Sequence, residues 1–167
     1  TLCAQHKTAM GLTVGLAAFQ CAMHYGTFAY SKDFLVLVGV RSVLEAASLT
    51  TIMYTVALLL SAPAGLLADA VGALRLGLVA LLLCSLLAYP AWMLLVAPGD
   101  PPLMGVLGAV LIGLLYLSKV PIVVVALGLF PPSVRATGFG LAYNVSQLAF
   151  AAPAPLLCNV LWRALAR

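Results

Sequence analysis

The stretch LGLVALLLCSLLAYPAWMLLVA, residues 76–97, runs for 22 residues without a charge. A membrane-spanning barrel strand would alternate polar and apolar residues with period two. This stretch is apolar on every side. Within hydrocarbon only helices and closed barrels satisfy their own backbone polar groups, so it reads as a transmembrane helix, which needs roughly 20 apolar residues. The same reading extends outward. No charged residue falls between Lys7 and Lys32, between Glu45 and Asp69, or between Arg75 and Asp100, and after Arg135 none appears until Arg163. Of 167 residues, 65% are hydrophobic and 7% charged, against about 25% charged in a soluble domain. A single soluble core cannot absorb so many uncharged runs. The expected fold is all-α: a polytopic helical membrane protein with five spans, at about residues 9–29, 46–67, 76–97, 103–127 and 136–160.

The segments between the spans carry turn chemistry. They are SKDF (31–34) with the weakly amphipathic segment after it, ADAVGALR (68–75), APGDPP (97–102) and FPPSVRAT (130–137). Pro63, Pro90 and Pro121 fall inside or near the ends of spans, where lipid-buried helices tolerate proline and often kink. The first apolar run lacks a basic flank and cleavage pattern, so no signal peptide is expected. An odd number of spans and two abrupt ends point to a fragment. The net charge of +4 is scattered, with no basic stripe to suit nucleic acid. Cys3, Cys21, Cys84 and Cys158 lack metal-ligand spacing and read as small apolar residues, with no disulfide framework. No nucleophile–base pair, metal cluster or phosphate loop is visible, so neither an enzyme nor a resident metal or cofactor is expected.

Two connectors resemble those of a known family. PAGLLADAVGALR (63–75) is similar to the signature loop of the major facilitator superfamily. Gly65, Asp69 and Gly72 fit that loop; Ala70, Ala73 and Leu74 stand where the family usually has arginines, and Arg75 supplies a late one. An aspartate at a helix end can accept hydrogen bonds from a helix N-terminus or pair with arginine, which would latch neighbouring helices. LFPPSVRATGFGLAYNVSQLAFAAPAPLL (129–157) resembles the stretch before and along the eleventh helix of the metabolite–proton symporters in that superfamily, and LLAYPAWMLL (86–95) their ninth helix.

By this resemblance the five spans are helices seven to eleven, a partial six-helix half-bundle. The chain would be the C-terminal half of a secondary transporter whose N-terminal half-bundle is missing. Its implied work is proton-coupled symport of a small carboxylated metabolite (a carboxylic acid, proline or betaine) by alternating access. A sugar-porter-like carrier and a non-transporting membrane scaffold or sensor of the same fold are the alternatives. Its implied place is a plasma or cell inner membrane. The family topology puts Lys7, Arg75 and Arg135 on the cytoplasmic side and Lys32, Arg41, Arg163 and Arg167 outside, without the usual positive-inside excess. Pro131 and Pro132 would end the fourth span, since proline has no N–H for a continuing helix. Arg135 would bond the preceding carbonyls, and Gly138 and Gly140 would admit a neighbouring helix. The plain alternative is a turn of the kind any helical hairpin needs.

Polar residues within the spans are uneven. The third span holds only Cys84 and Ser85 besides apolar residues and would face lipid on most sides. Gln20 and His24, four apart, share a face of the first span, with Tyr25 beside them; Thr50, Thr51 and Tyr54 cluster on the second. Tyr116 and Lys119 share a face of the fourth, and Tyr143, Asn144 and Gln147 one of the fifth. A lysine inside a span costs about 2.5–3.5 kcal/mol on insertion scales, so Lys119 would face protein or water, as a partner for a substrate carboxylate or as a residue snorkelling to the interface. His24, with an unperturbed pKa near 6.5, suits proton coupling; a merely solvated histidine is the plain alternative. Gln20, Tyr54, Asn144 and Gln147 would line a substrate cavity or make interhelical hydrogen bonds. No carboxylate lies inside any of the five spans.

Overall fold

The computed structural model describes residues 6–97 and 103–165, and among them every regular element is a helix. The chain divides into two compact units, one of Thr27–Pro121 and one of Thr1–Gly26 with Ile122–Arg167.

In the Thr27–Pro121 unit, helix α2 covers Tyr30–Leu37, α3 Val43–Val71, α4 Ala73–Val96 and α5 Leu103–Tyr116. The start of α3 is written in its first residues. Ser42 Oγ accepts from Glu45 N at 3.3 Å while Glu45 Oε2 accepts from Ser42 N at 2.9 Å, a reciprocal cap that satisfies two otherwise orphaned donors. The link between α3 and α4 is a single residue, Gly72, whose φ of 97° lies where residues with a side chain are strained.

Helix α5 packs against both long helices through glycine. A Cβ at Gly108 would lie 2.6 Å from Leu95 N and 2.9 Å from Ala91 O, and one at Gly113 would lie 2.8 Å from Met53 O. Backbones therefore touch where a side chain would hold them apart, as small residues allow in membranes. Ala91, Leu95, Met53 and Ile112 are almost wholly enclosed around these contacts. The outward faces are apolar too: Leu74, Leu78, Leu82 and Leu86 form an exposed row along α4. Such a row would be a liability in water and is ordinary against lipid.

In the other unit, α1 covers Lys7–Met23, α7 Arg135–Ser146 and α8 Ala154–Leu165. A π-helical turn, π2, spans Gln147–Ala151 between α7 and α8. Pro153 and Pro155 follow it and supply no N–H; Ala152 N reaches back five residues to Gln147 O at 3.1 Å. Proline and a wide turn together interrupt the helix there. Helices α1 and α7 pack through Ala17, Ala142 and Ser146. Ser146 Oγ donates to Val14 O at 3.2 Å. Two elements carry the chain from one unit into the other: the π-helical turn π1, His24–Ala29, and helix α6, Lys119–Gly128.

Four stretches have the length and apolarity to cross a membrane: Val43–Val71, Ala73–Val96, Leu103–Gly128 and Arg135–Ala164. They contain four of the five expected spans. The first expected span, 9–29, is helical but not among them, because Gln20, His24 and Tyr25 lower its hydropathy. Two connectors are shorter than expected. SKDF lies inside α2 and the turn falls in the segment after it, at residues 38–42, while ADAVGALR is helical except at Gly72. Most of APGDPP lies outside the described residues. FPPSVRAT does separate α6 from α7, as its prolines require.

The glycine contacts make a quantitative forecast. Gly113→Val forces α3 and α5 apart and is expected to cost about 1–3 kcal/mol, as overpacking does. Gly15 has nothing within 4 Å of where a Cβ would stand and should accept alanine without loss. Thermal unfolding of the two variants in the same detergent checks this. Equal midpoints for Gly113→Val and the parent chain would refute the close approach.

Candidate functional site

Pro121 organises the strongest candidate. A helix running through residues 117–121 would need an N–H at Pro121 for Leu117 O, and the ring would collide with that carbonyl. The chain avoids this by tightening: Leu117 N bonds Leu114 O, Ser118 N bonds Leu115 O and Val120 N bonds Leu117 O, all three residues apart. Helix α5 therefore stops at Tyr116, and α6 begins at Lys119.

At this break Lys119 Nζ donates to Tyr116 Oη at 3.1 Å and sits 5.4 Å from the centre of the tyrosine ring. The Tyr116 ring lies 4.5 Å from that of Phe28, which in turn lies 5.1 Å from Tyr54. Phe28 is buried, Tyr116 and Lys119 half-buried, and Tyr54 exposed. An ammonium thus stands at the helix break beside an aromatic wall, and its charge favours an anion there. Tyr116 accepts from the ammonium through its hydroxyl oxygen.

The structure brings together three of the residues expected at a substrate site: Lys119, Tyr116 and Tyr54. The other four, Gln20, His24, Asn144 and Gln147, belong to the other unit. Asn144 is exposed, and its Nδ2 donates to Gly140 O of its own helix at 2.8 Å. Gln147 begins π2. His24 begins π1 and meets the edge of Tyr25 at 4.9 Å. Gln20 is buried, and its Oε1 has no hydrogen-bond partner among the described residues. Thr13 Oγ1, seven residues earlier on the same face of α1, is in the same condition. Thr50 and Thr51, expected beside Tyr54, bond Ala46 O and Ala47 O of their own helix.

The expected latch residues are placed as follows. Gly65 lies within α3 with open space around it. Asp69 and Arg75 flank Gly72, and both are exposed. Among the described residues neither forms an ion pair or hydrogen bond through its side chain. Arg135 Nε donates to Phe130 O at 3.2 Å, tying the start of α7 to the connector. Gly138 is closely approached, but by the Phe130 ring, 2.6 Å from where a Cβ would stand, and not by a neighbouring helix. Gly140 has no neighbour within 4 Å of that position, so its expected role in helix packing does not hold. Two residues escaped sequence reasoning. Phe28 looked like one aromatic among apolar neighbours; Ser146 had a signal, the small residues Gly138, Ala142 and Ser146 at intervals of four.

No family model, curated protein or solved structure matches the chain.

The break at Pro121 yields a direct test. Pro121→Ala restores an N–H and removes the clash, so α5 and α6 are expected to join through residues 117–118. Hydrogen exchange should then slow at amides 118–120, which the tightened turns hold less regularly in the parent. Unchanged exchange at these amides would show that proline is not the cause of the break.

Proposed function

We propose that this chain is the C-terminal half-bundle of a major facilitator transporter and that Lys119 holds the carboxylate of its substrate. The carrying observation is the coincidence of Lys119, Tyr116 and a helix start within an apolar, interrupted helix. Broken helices whose positive ends face anionic groups recur in secondary transporters near the bilayer midplane. The resemblance of residues 63–75 and 129–157 to the metabolite–proton symporters supports the same class. Symport with protons follows that resemblance; His24 is the candidate for coupling, since histidine is the side chain whose ordinary pKa lies nearest neutrality. A second reading, a non-transporting scaffold or sensor, is favoured by one observation: Asp69 and Arg75 point outward and do not close a latch.

Uptake by the complete transporter, with both half-bundles present, separates the two readings. Residues 1–167 alone are expected to insert in vesicles without saturable uptake, because such sites form between two repeats. In the complete protein Lys119→Gln is expected to weaken carboxylate binding at least a hundredfold. That is the lower end of the about 3–5 kcal/mol lost when one partner of a buried charge pair is removed. Lys119→Arg should rescue only in part, since a planar guanidinium bonds differently from a compact ammonium. A snorkelling lysine forecasts the reverse, with arginine equal to lysine and glutamine nearly so. Near-equal affinities of the three proteins at matched surface expression would remove Lys119 from the site.

A further inference from the structure

Between α3 and α4 of the Thr27–Pro121 unit, and closed behind by the end of α5, lies a cavity of about 440 Å³ that shares the Leu117–Pro121 break with the candidate site but neither Lys119 nor Tyr116. Pro63 and Leu67 of α3 and Leu76, Val79 and Leu83 of α4 form its walls, with Ser118 at its floor. The walls are apolar. At the floor Ser118 is buried, and the Cys84 thiol turns inward to Leu115 O at 3.4 Å.

Three observations point to one occupant. The cavity follows α4 from Leu76 to Leu87, about 16 Å at the helical rise, or half the ~30 Å hydrocarbon core of a bilayer. With Leu76 near the start of α4, it would reach from one interface toward the midplane. A volume of about 440 Å³ is that of a ligand-sized site, and its long, apolar form suits an alkyl chain. Finally, Arg75 precedes Val79 and Leu83 by four and eight residues, so it continues their row on α4 to the interfacial end of the cleft. It is exposed, and it is not engaged by another side chain among the described residues. The nearby acid Asp69 lies two residues past Leu67, about 200° around α3 at 3.6 residues per turn, and so off the cleft.

We propose that this cleft binds one anionic phospholipid, an acyl chain lying between α3 and α4 and the headgroup phosphate against Arg75. The proposal requires only that the helices lie in a membrane, so it stands or falls apart from transport. The test is native mass spectrometry of the chain extracted from vesicles of equal phosphatidylglycerol and phosphatidylcholine. The parent is expected to retain phosphatidylglycerol in preference. Arg75→Gln, an exposed change, should cut that preference about fivefold, the effect of one basic residue at an anionic surface. Ala80→Phe should fill the cleft and reduce retention of both lipids, with an unchanged thermal midpoint confirming that the variant folds. Equal retention of the two lipids by the parent, or retention insensitive to both substitutions, would overturn the proposal. So would a dimer whose Ala80→Phe variant falls to monomers without any change in bound lipid.

Discussion

Backbone contact across Gly108 and Gly113 is the constraint on which the Thr27–Pro121 unit depends. Lipid tails are as apolar as leucine, so helices in a bilayer gain little from burying leucine against leucine. They gain instead from close packing, which glycine makes possible by letting one backbone reach the next. Helix α5 has such a contact on each of two faces, toward Leu95 of α4 and Met53 O of α3. Its position is therefore determined twice. Everything at its C-terminal end inherits that position: the tightened turn at Leu117–Ser118, Tyr116, and Lys119 beyond it. Precision at the candidate site begins two and three helical turns away from it.

Much of the fold was legible because charge is so scarce. Each uncharged gap marks a helix, and four of the five expected spans coincide with helices long enough to cross a membrane. The misjudged places have a common physical cause. SKDF and ADAVGALR contain polar and small residues that suit turns, but near the ends of helices the same residues are tolerated in helical conformation. The chain turns at Gly39 and Gly72, whose φ values of 71° and 97° are reserved in practice for glycine. Propensity identified the right neighbourhood and overestimated how many residues a turn needs.

The candidate site was legible in part for the same reason that it is local. Tyr116 and Lys119 are three residues apart, which puts them on one face of a helix, and they are in hydrogen-bond contact. Phe28 reaches the same cluster from the distant start of its unit. Nothing in a single sequence relates residue 28 to residue 116. The back-bonded threonines show the converse. Thr50, Thr51 and Thr55 advertise polarity in the sequence, yet each spends its hydroxyl on its own helix, a common solution within helices.

The break at Pro121 also bears on why a lysine is tolerated at this depth. An ammonium in an apolar helix is costly. The Tyr116 hydroxyl and ring offset part of that, through a charge-assisted hydrogen bond and the negative face of the ring. Neither partner carries a charge. Under the proposed function, an anion beside Lys119 would meet the ammonium in an apolar setting where charge interactions are strong. A carboxylate pairs with that charge directly, whereas a neutral sugar offers it only dipoles. This is the physical ground on which the proposed function takes an anionic substrate rather than a sugar.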